Sequence, residues 1–377
     1  MITKVCNHIQ WRVQQARDQW IHRQVYRPAR LAELPEVSFN PVFPAGPCNW
    51  PPIRNLGPGE VSFIHPLETH FPDLGLIQLK DAVVHLACGY VFNREGRFLI
   101  DAAWGSWNAA KYRQPSRQRP IQQVFKGRTL SLLTDFACLN YAHFLLDGLG
   151  RLGLLREAGV DLEGFDRILL PHFKSVELDA LIESSGLPIE RILRHGKETV
   201  YAQCEDLTLT TFAGRARHYP PWLPSTLRSL LPGPRCPEPW RKLYIIRRAK
   251  GGNALNEAEV QDVMRAHGFD CVDPLELVPH AFEYFNEASH VVGLHGAALA
   301  NLAFCQPGTN VLELMPTAHQ EPYYYTLSTS AGLNYHLLLV DSQVPQSERG
   351  TRDRASDRFD VKIAIKDLEK ALATVLH

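Results

Sequence analysis

A-S-H-V-V-G-L-H-G-A-A-L-A-N-L-A-F-C-Q-P-G-T-N-V-L-E-L, residues 288–314, has the pattern of one complete β-α-β unit. Residues 290–292 and 311–314 are short runs that contain β-branched side chains, which are typical of strands. Most residues of 297–304 are good helix formers. The pattern predicts a strand, a glycine-containing turn, a helix, a proline–glycine turn and a second strand.

The first of these turns contains Gly293, His295 and Gly296. A helix that begins there has unpaired backbone N–H groups and the positive end of its dipole at one point, which suits a phosphate. The His295 side chain adds a further hydrogen-bond donor. An ordinary strand-to-helix connection, in which the glycines serve only geometry, explains the G-x-x-G spacing equally well.

Charge and composition limit the classes of protein to be considered. Forty basic and forty acidic residues cancel in this chain of 377 residues, and the isoelectric point is near 7.3. This balance argues against a nucleic-acid-binding protein. The hydrophobic content of 45% is that of a soluble globular protein, and the length is sufficient for two domains.

The sequence shows no membrane or metal signature. Its N-terminus has no apolar run of signal-peptide length, and no later run is long enough to span a bilayer. The eight cysteines are widely scattered, which predicts reduced thiols and no zinc knuckle. We therefore expect a cytoplasmic protein with no transmembrane segment and no metal site.

Strand and helix patterns alternate in both halves of the chain. We predict a hairpin over 83–101 turning at 93–96, strands at 167–170, 206–211, 242–246 and 270–272, and helices at 9–21, 140–158, 176–185, 256–267, 279–288 and 361–376. This alternation favours an α/β fold with two Rossmann-like domains facing a cleft, joined by the proline-rich stretch 231–239. The predicted divisions are an N-terminal helix and proline-rich extension (1–60), two α/β domains (61–235 and 240–345), and a C-terminal segment (346–377) whose helix packs back toward the first domain.

Y-I-I-R-R-A-K at 244–250 ends a predicted strand with three cations, Arg247, Arg248 and Lys250. The carboxyl edge of an open α/β sheet is where ligands bind, and the planar guanidinium group suits phosphate oxygens. A solvated turn with surface arginines is the alternative. Glu313, at the end of the last strand of the opening β-α-β unit, would accept hydrogen bonds from ribose hydroxyls or face solvent.

N-Y-A-H-F-L-L-D-G-L-G-R-L at 140–152 places His143, Asp147 and Arg151 four residues apart on one helix face. A carboxylate beside an imidazole orients it for general-base catalysis. A capped helix with a surface ion pair explains the same spacing. The stretch 111–128, with six cations and no acid, suits either an anionic acceptor or a solvated loop.

Taken together, these segments resemble glycosyltransferase family 61. The matching segments are N-Y-A-H-F-L-L-D-G-L-G-R-L at 140–152, Y-I-I-R-R at 244–248, L-N-E at 255–257 and V-V-G-L-H-G-A-A-L-A-N-L-A-F-C-Q-P-G-T-N-V-L-E-L at 291–314. They occur in the expected order over about half of the chain. The sequence departs from the family pattern at Ala298, Ala300 and Asn253, where glycine, threonine and arginine are common.

The resemblance implies a GT-B-like fold and inverting transfer of a sugar from a nucleotide donor, usually a uridine diphosphate (UDP) sugar, without an obligatory metal or other cofactor. It implies an acceptor-side first domain and a nucleotide-sugar-binding second domain. The residues it would place at the donor diphosphate are Arg247, Arg248, His295, Gly296, Ala297, Ala298 and Asn301, with Glu313 near the ribose. His143 and Asp147 would lie in the acceptor cleft, either one as the base.

The absence of an anchor in the sequence suits a bacterial enzyme of capsular or surface polysaccharide synthesis. The partners to consider are a glycan acceptor and further copies of the chain in a homo-oligomer. Two other hypotheses remain. One is a nucleotide-sugar epimerase of the same fold, and the other is a non-catalytic relative that binds nucleotide or glycan.

Overall fold

The computed structural model describes residues 28–103, 121–196, 200–215, 217–231, 236–249, 251–274, 281–344 and 359–376. The predicted helix at 9–21, residues 111–120 of the cationic stretch, and the centre of the predicted linker lie outside the described residues. The chain divides into two compact units. The first consists of the described residues of Met1–Ala45, Pro72–Phe173 and Gly186–Ala216, and the second of those of Gly46–Phe71, Lys174–Ser185 and Arg217–His377.

Numbered along the chain, the strands of the described residues are β1 (Pro28–Ala29), β2 (Ser38–Phe43), β3 (Gly46–Pro47), β4 (His70–Phe71), β5 (Leu74–His85), β6 (Tyr90–Phe92), β7 (Phe98–Leu99), β8 (Ile121–Ser131), β9 (Arg167–Pro171), β10 (Ile192–His195), β11 (Tyr201–Thr210), β12 (Arg241–Ile245), β13 (Asp270–Val272), β14 (Ala288–Leu294), β15 (Asn310–Pro316), β16 (Asn334–Ser342) and β17 (Val361–Lys362). The α-helices are α1 (Leu152–Glu157), α2 (Val176–Glu183), α3 (Trp222–Ser229), α4 (Glu257–Ala266), α5 (Ala281–Asn286), α6 (Tyr323–Ala331) and α7 (Ile365–Val375). A π-helical turn spans His143–Gly148, and 3-10 helices span Leu31–Glu33, Ile100–Ala102, Leu149–Arg151, Leu162–Gly164, Ile189–Arg191 and Ala297–Phe304.

The first unit contains a mixed sheet with the strand order β1-β7-β6-β5-β11-β8-β9-β10, and β2 pairs with β5. Strands β11, β8, β9 and β10 pair with one another in parallel, as the strand–helix alternation predicts. Strand β5 runs antiparallel to β2, β6 and β11. The antiparallel part arises because short turns join β5, β6 and β7, and the predicted hairpin turn at 93–96 is one of them. The core of this sheet includes Ile77, Val84, Leu169 and Leu207, all fully buried.

The second unit contains the sheet β13-β12-β14-β15-β16-β17, parallel except for β17 at its edge. Helices α4 and α7 pack on one face, where Val260, Met264 and Leu368 join the buried core. The 3-10 helix Ala297–Phe304 packs with α3, α5 and α6. The predicted strands at 242–246 and 270–272 and the two strands of the 288–314 unit are confirmed, with small changes in their bounds. The helix between those two strands forms over the predicted residues as a 3-10 helix.

Two features of the second unit differ from the sequence-based expectation. The helix predicted over 361–376 begins only at Ile365, because Val361 and Lys362 first pair with β16 as strand β17. The segment Gly46–Phe71 belongs to the second unit although it precedes most of the first unit in sequence. Its residue Asn55 forms a parallel bridge with Leu337 of β16.

Candidate functional site

The sheet of the second unit reverses its winding direction between β12 and β14. From β12 the chain first crosses to β13 on one side and then returns to β14 on the other side of β12. In open parallel sheets this reversal leaves a crevice at the carboxyl ends of the two strands, where ligands bind. Arg247 and Arg248 follow the end of β12, and His295 and Gly296 follow the end of β14. The two predicted phosphate-binding segments therefore meet at one crevice.

Arg247 and Gly296 are in close contact across this crevice. The Nη1 atom of Arg247 donates a hydrogen bond to the backbone oxygen of His295 over 2.8 Å. A Cβ atom on residue 296 would lie 2.1 Å from that Nη1 atom. Since Gly296 has a φ of 174°, which any residue adopts, its backbone conformation does not require glycine. The Arg247 guanidinium instead occupies the space that a side chain at position 296 would need.

The helix that follows Gly296 has only partly exposed residues at its start, Ala297 and Ala298. The first N–H groups of a helix have no partner within it, so these amides are donors at the crevice. Asn301, which was also predicted to contact phosphate, is buried one turn further along. Its contact with a donor stays a prediction.

His295 is held by a buried carboxylate. Its Nδ1 atom lies 2.5 Å from Oε1 of Glu313, and the hydroxyl of Tyr335 donates to Oε2 of Glu313 over 2.6 Å. Because an ionised carboxylate only accepts hydrogen bonds, Nδ1 carries the proton and Nε2 is the ring nitrogen left for a ligand. Burial, followed by the charge of Glu313, raises the pKa of the Tyr335 phenol well above its ordinary value, which keeps it a donor.

Glu313 is fully buried and does not face solvent. Both of its carboxylate oxygens contact a neighbouring side chain, and a contact with ribose stays a prediction. The structure adds a role that the sequence did not predict, which is to orient His295. His295 also lies among aromatic rings, with ring centroids 5.3 Å from His319 and 5.0 Å from Tyr324.

A cavity of about 350 Å³ adjoins the arginines. Its lining residues are Ile246, Arg247, Arg248, Ala249, Asn253, Ala254, Glu257 and Gln261. Arg248 has a side chain that is 64% exposed, and its Nε atom lies 2.9 Å from the buried Asp273 carboxylate. Burial raises the pKa of Glu257, which lies at the start of α4.

Asn253 occupies the position at which the family pattern often has arginine. Its side chain accepts a hydrogen bond from the backbone N–H of Ala249 and donates one to the oxygen of the same residue, each over 2.9 Å. Asn253 therefore fixes the loop after β12. The cationic groups that the structure places along this cavity are those of Arg247 and Arg248.

A larger cavity of the second unit, about 610 Å³, lies at the other edge of the sheet. Asn310 and Asn334 line it, and they are the first residues of β15 and β16. Ligands of open parallel sheets bind at the carboxyl ends of the strands. We therefore place the candidate donor site at the smaller cavity, which has the arginines.

In the first unit, His143 and Asp147 form a second histidine–carboxylate pair. The Nδ1 atom of His143 lies 2.5 Å from Oδ2 of Asp147. Asp147 and Arg151 are buried, which excludes the alternative of a surface ion pair. Burial lowers the pKa of Arg151 to about 10, while Asp147 and Asp135 oppose that shift. A polar group this deeply buried is costly unless it is paired, so the carboxylate and the guanidinium stabilise each other.

The backbone around this pair is not the regular α-helix that the sequence predicts over 140–158. Residues His143–Gly148 form a wider π-helical turn, a 3-10 turn follows, and the α-helix begins only at Leu152. Such π-turns inside helices are rare and are frequently found at functional sites. The apolar side predicted for this segment is confirmed, since Phe144, Leu145 and Leu149 are fully buried.

The predicted site residues fall in two different units. His143 and Asp147 belong to the first unit, and Arg247, Arg248, His295 to Asn301 and Glu313 belong to the second. Sequence reasoning did not find Tyr335 and Asp273, which contact predicted site residues. Asp273 immediately follows strand β13, where a polar residue at a strand end could have indicated it, whereas Tyr335 is the second residue of β16 and has no such signal.

Comparison with known proteins identifies the segment that contains most of these residues. Residues 141–312 match glycosyltransferase family 61. The match spans both histidine-containing motifs and ends one residue before Glu313. In addition, 94 residues are 32% identical to the beta-1,2-xylosyltransferase RCN11 of Oryza sativa subsp. japonica. That alignment covers 22% of this chain and 17% of the plant protein. Both findings support a glycosyltransferase.

Two features are absent from the described residues. None of their helices combines the length and apolar character that crossing a bilayer requires. Within the same residues, no group of three or more His, Cys, Asp and Glu side chains has the arrangement of a metal site. The seven cysteines that the structure describes are not paired in disulfides.

Proposed function

We propose that this chain is an inverting, metal-independent glycosyltransferase of GT-B-like architecture that transfers a sugar from a UDP donor to a glycan acceptor. The observation that carries the proposal is the contact of the Arg247 guanidinium with the His295 carbonyl and Gly296, at the start of a helix and at the crevice between β12 and β14. A guanidinium group and helix-terminal amides at such a crevice form a binding site for the phosphates of a nucleotide.

The second unit holds the donor in this proposal. Arg247, Arg248 and the amides of Ala297 and Ala298 bind the diphosphate, and His295 lies beside them with its Nδ1 atom held by Glu313. These groups stabilise the negative charge that develops as the bond between the sugar and the diphosphate breaks. No metal is needed for this step, because the guanidinium groups and amides supply the positive charge.

The first unit supplies the base. Asp147 is completely buried, whereas the His143 side chain is 14% exposed, so His143 is the group that can reach a substrate. Its Nε2 atom accepts the proton of an acceptor hydroxyl, whose oxygen attacks the anomeric carbon and displaces the diphosphate with inversion. Asp147 keeps the proton on Nδ1 and orients the ring.

The named relative is a xylosyltransferase. We therefore propose a pentose or hexose donor and include UDP-xylose among the sugars to be tested. We further propose a cytoplasmic location and a role in capsular or other surface polysaccharide synthesis.

Calorimetry with UDP tests the donor site. The wild-type protein should bind UDP, and Arg247→Ala should weaken binding about tenfold or more, because hydrogen bonds to charged groups contribute roughly 1.5–3 kcal/mol. Arg265→Ala is the matched control, since Arg265 is an exposed arginine of α4 in the same unit. Absence of UDP binding, or equal losses in both variants, would contradict the proposed donor site.

An assay of UDP release and product formation with UDP-xylose, UDP-glucose and UDP-N-acetylglucosamine tests the reaction. Sugar transfer to an added glycan supports the proposal. An isomerised sugar formed from the donor alone would instead identify an epimerase.

A further inference from the structure

A third histidine–carboxylate pair lies in the second unit, at the turn between β15 and α6. The Nδ1 atom of His65 donates to Oε1 of Glu321 over 2.9 Å. The Nε atom of Arg217 lies 3.0 Å from the other oxygen, Oε2. Glu321 is buried, whereas the His65 side chain is 45% exposed. A buried carboxylate thus holds an accessible imidazole on one side and a guanidinium group on the other.

This group, which we call the His65–Glu321–Arg217 cluster, is linked to the candidate donor site through Tyr323. The Cζ atom of Arg217 lies 5.7 Å from the centre of the Tyr323 ring. The same ring is 6.3 Å from the ring of His295. Arg217 of the cluster and His295 therefore both lie near the Tyr323 ring, in the region that follows the carboxyl ends of β14 and β15.

The cluster is not needed to attach the segment Gly46–Phe71 to the second unit. The backbone N–H of Ile64 donates to the oxygen of Gln320 over 2.8 Å, and that of Ser62 donates to Oε1 of Gln320 over 2.8 Å. A hydrogen bond from a half-exposed histidine adds little stability to such an attachment. Arg217 has a φ of 70°, in the left-handed region that a non-glycine residue rarely adopts, and such strain is concentrated at functional sites.

The chemistry of the cluster is that of a sugar-binding site. The accessible imidazole of His65 can form a hydrogen bond with a sugar hydroxyl, while the buried Glu321 carboxylate holds the imidazole in place and Arg217 holds that carboxylate. The sugar of a nucleotide donor is joined to the diphosphate, so it must lie directly beside the groups that bind that diphosphate.

We propose that His65, Glu321, Arg217 and Tyr323 form the subsite for the transferred sugar, in which His65 binds a sugar hydroxyl and so contributes to donor specificity. This proposal rests on the proposed function, because it places the sugar relative to the diphosphate site. His65 is the member of the subsite that a sugar can reach most easily, because its side chain is the most accessible of the cluster.

Comparing the affinities for UDP and for UDP sugars tests this subsite. Calorimetry would be performed with UDP, UDP-xylose, UDP-glucose and UDP-N-acetylglucosamine on the wild type, His65→Ala and His70→Ala. His70 is the matched control because it is an exposed histidine of the same segment. We expect His65→Ala to weaken the best-bound UDP sugar about tenfold or more and to change UDP affinity less than about twofold, because one hydrogen bond to the sugar is lost. His70→Ala should change neither affinity.

Each other outcome is informative. Three results would overturn the sugar subsite while leaving the diphosphate site intact. The first is an equal loss of affinity for UDP and the UDP sugar in His65→Ala, and the second is no loss of affinity for either ligand. The third is a wild-type protein that binds every UDP sugar no better than UDP. If the wild type binds neither UDP nor any UDP sugar, the proposed function fails and the subsite fails with it. His65→Gln provides a second variant that keeps a polar side chain, and it should lose less UDP-sugar affinity than His65→Ala.

Discussion

Replacing Gly296 with alanine should displace the Arg247 guanidinium and leave the rest of the second unit folded. The added Cβ atom would lie 2.1 Å from Nη1 and 3.3 Å from Cζ of Arg247. To regain van der Waals contact, Nη1 must move by about 1 to 2 Å. The φ of 174° at this position is extended, so alanine introduces no backbone strain.

The size of the effect follows from the contact that is lost. If Nη1 of Arg247 binds a phosphate oxygen, losing that charge-assisted hydrogen bond costs roughly 1.5–3 kcal/mol, which corresponds to about a 10- to 150-fold weaker UDP affinity. The free energy of unfolding should change much less, because the displaced group is the end of a flexible side chain.

Calorimetry with UDP on the wild type, Gly296→Ala, Arg247→Ala and the double variant measures this effect. Since both single substitutions remove the same contact, Gly296→Ala should cause little further loss when Arg247 is already alanine. Thermal unfolding of each variant is the control for folding. Unchanged UDP affinity in Gly296→Ala, or an equal fold loss with and without Arg247, would refute the role of this guanidinium.

Three further predictions concern charge. Arg151→Met should lower the free energy of unfolding by about 3–5 kcal/mol, because the carboxylate of Asp147 stays buried without its cation, and adding Asp147→Asn should restore part of that loss in a urea titration. Burial raises the pKa of Glu257, so the ionised carboxyl destabilises the folded protein at pH 7. Glu257→Gln should therefore stabilise the protein at pH 7 and lose this advantage as the pH falls toward 4. Equal stability differences between variant and wild type in urea titrations at both pH values would contradict this. Transfer activity should survive a chelator such as EDTA, and complete loss that manganese restores would contradict the metal-independent mechanism.

Much of the second unit was predictable because its signals are local. The β-α-β pattern of 288–314, the strand Asp270–Val272 and the cationic end of β12 each depend on neighbouring residues in the sequence. The sequence also places polar and glycine residues after strand ends, which is where a parallel sheet brings them together. Arg247 and Gly296 contact each other because β12 and β14 are adjacent in the sheet. The spacing of residues along the sequence does not reveal which strands are adjacent.

The contacts that the sequence did not predict join residues distant in the chain. His65 and Glu321 are separated by 256 positions, and His295 and Glu313 by 18. Periodicity cannot reveal such pairs, because it reports only on residues within one or two turns of helix. The π-helical turn at His143–Gly148 escaped prediction for a related reason, since a regular 3.6-residue period fits the same apolar residues.

The described residues thus contain three pairs in which Nδ1 of a histidine contacts a buried carboxylate. The pairs differ in the other side chain that lies beside each carboxylate. Asp147 lies beside Arg151, and Glu321 contacts Arg217, so each of these carboxylates already has a cation. Glu313 instead receives the neutral hydroxyl of Tyr335. Removing the other partner therefore affects the carboxylates differently. A buried carboxylate that loses its arginine keeps a charge without a cation, whereas Glu313 without the Tyr335 hydroxyl loses one of the hydrogen bonds that hold it against His295. Tyr335→Phe and Arg151→Met should accordingly have distinct consequences, the first for UDP affinity and the second for folding.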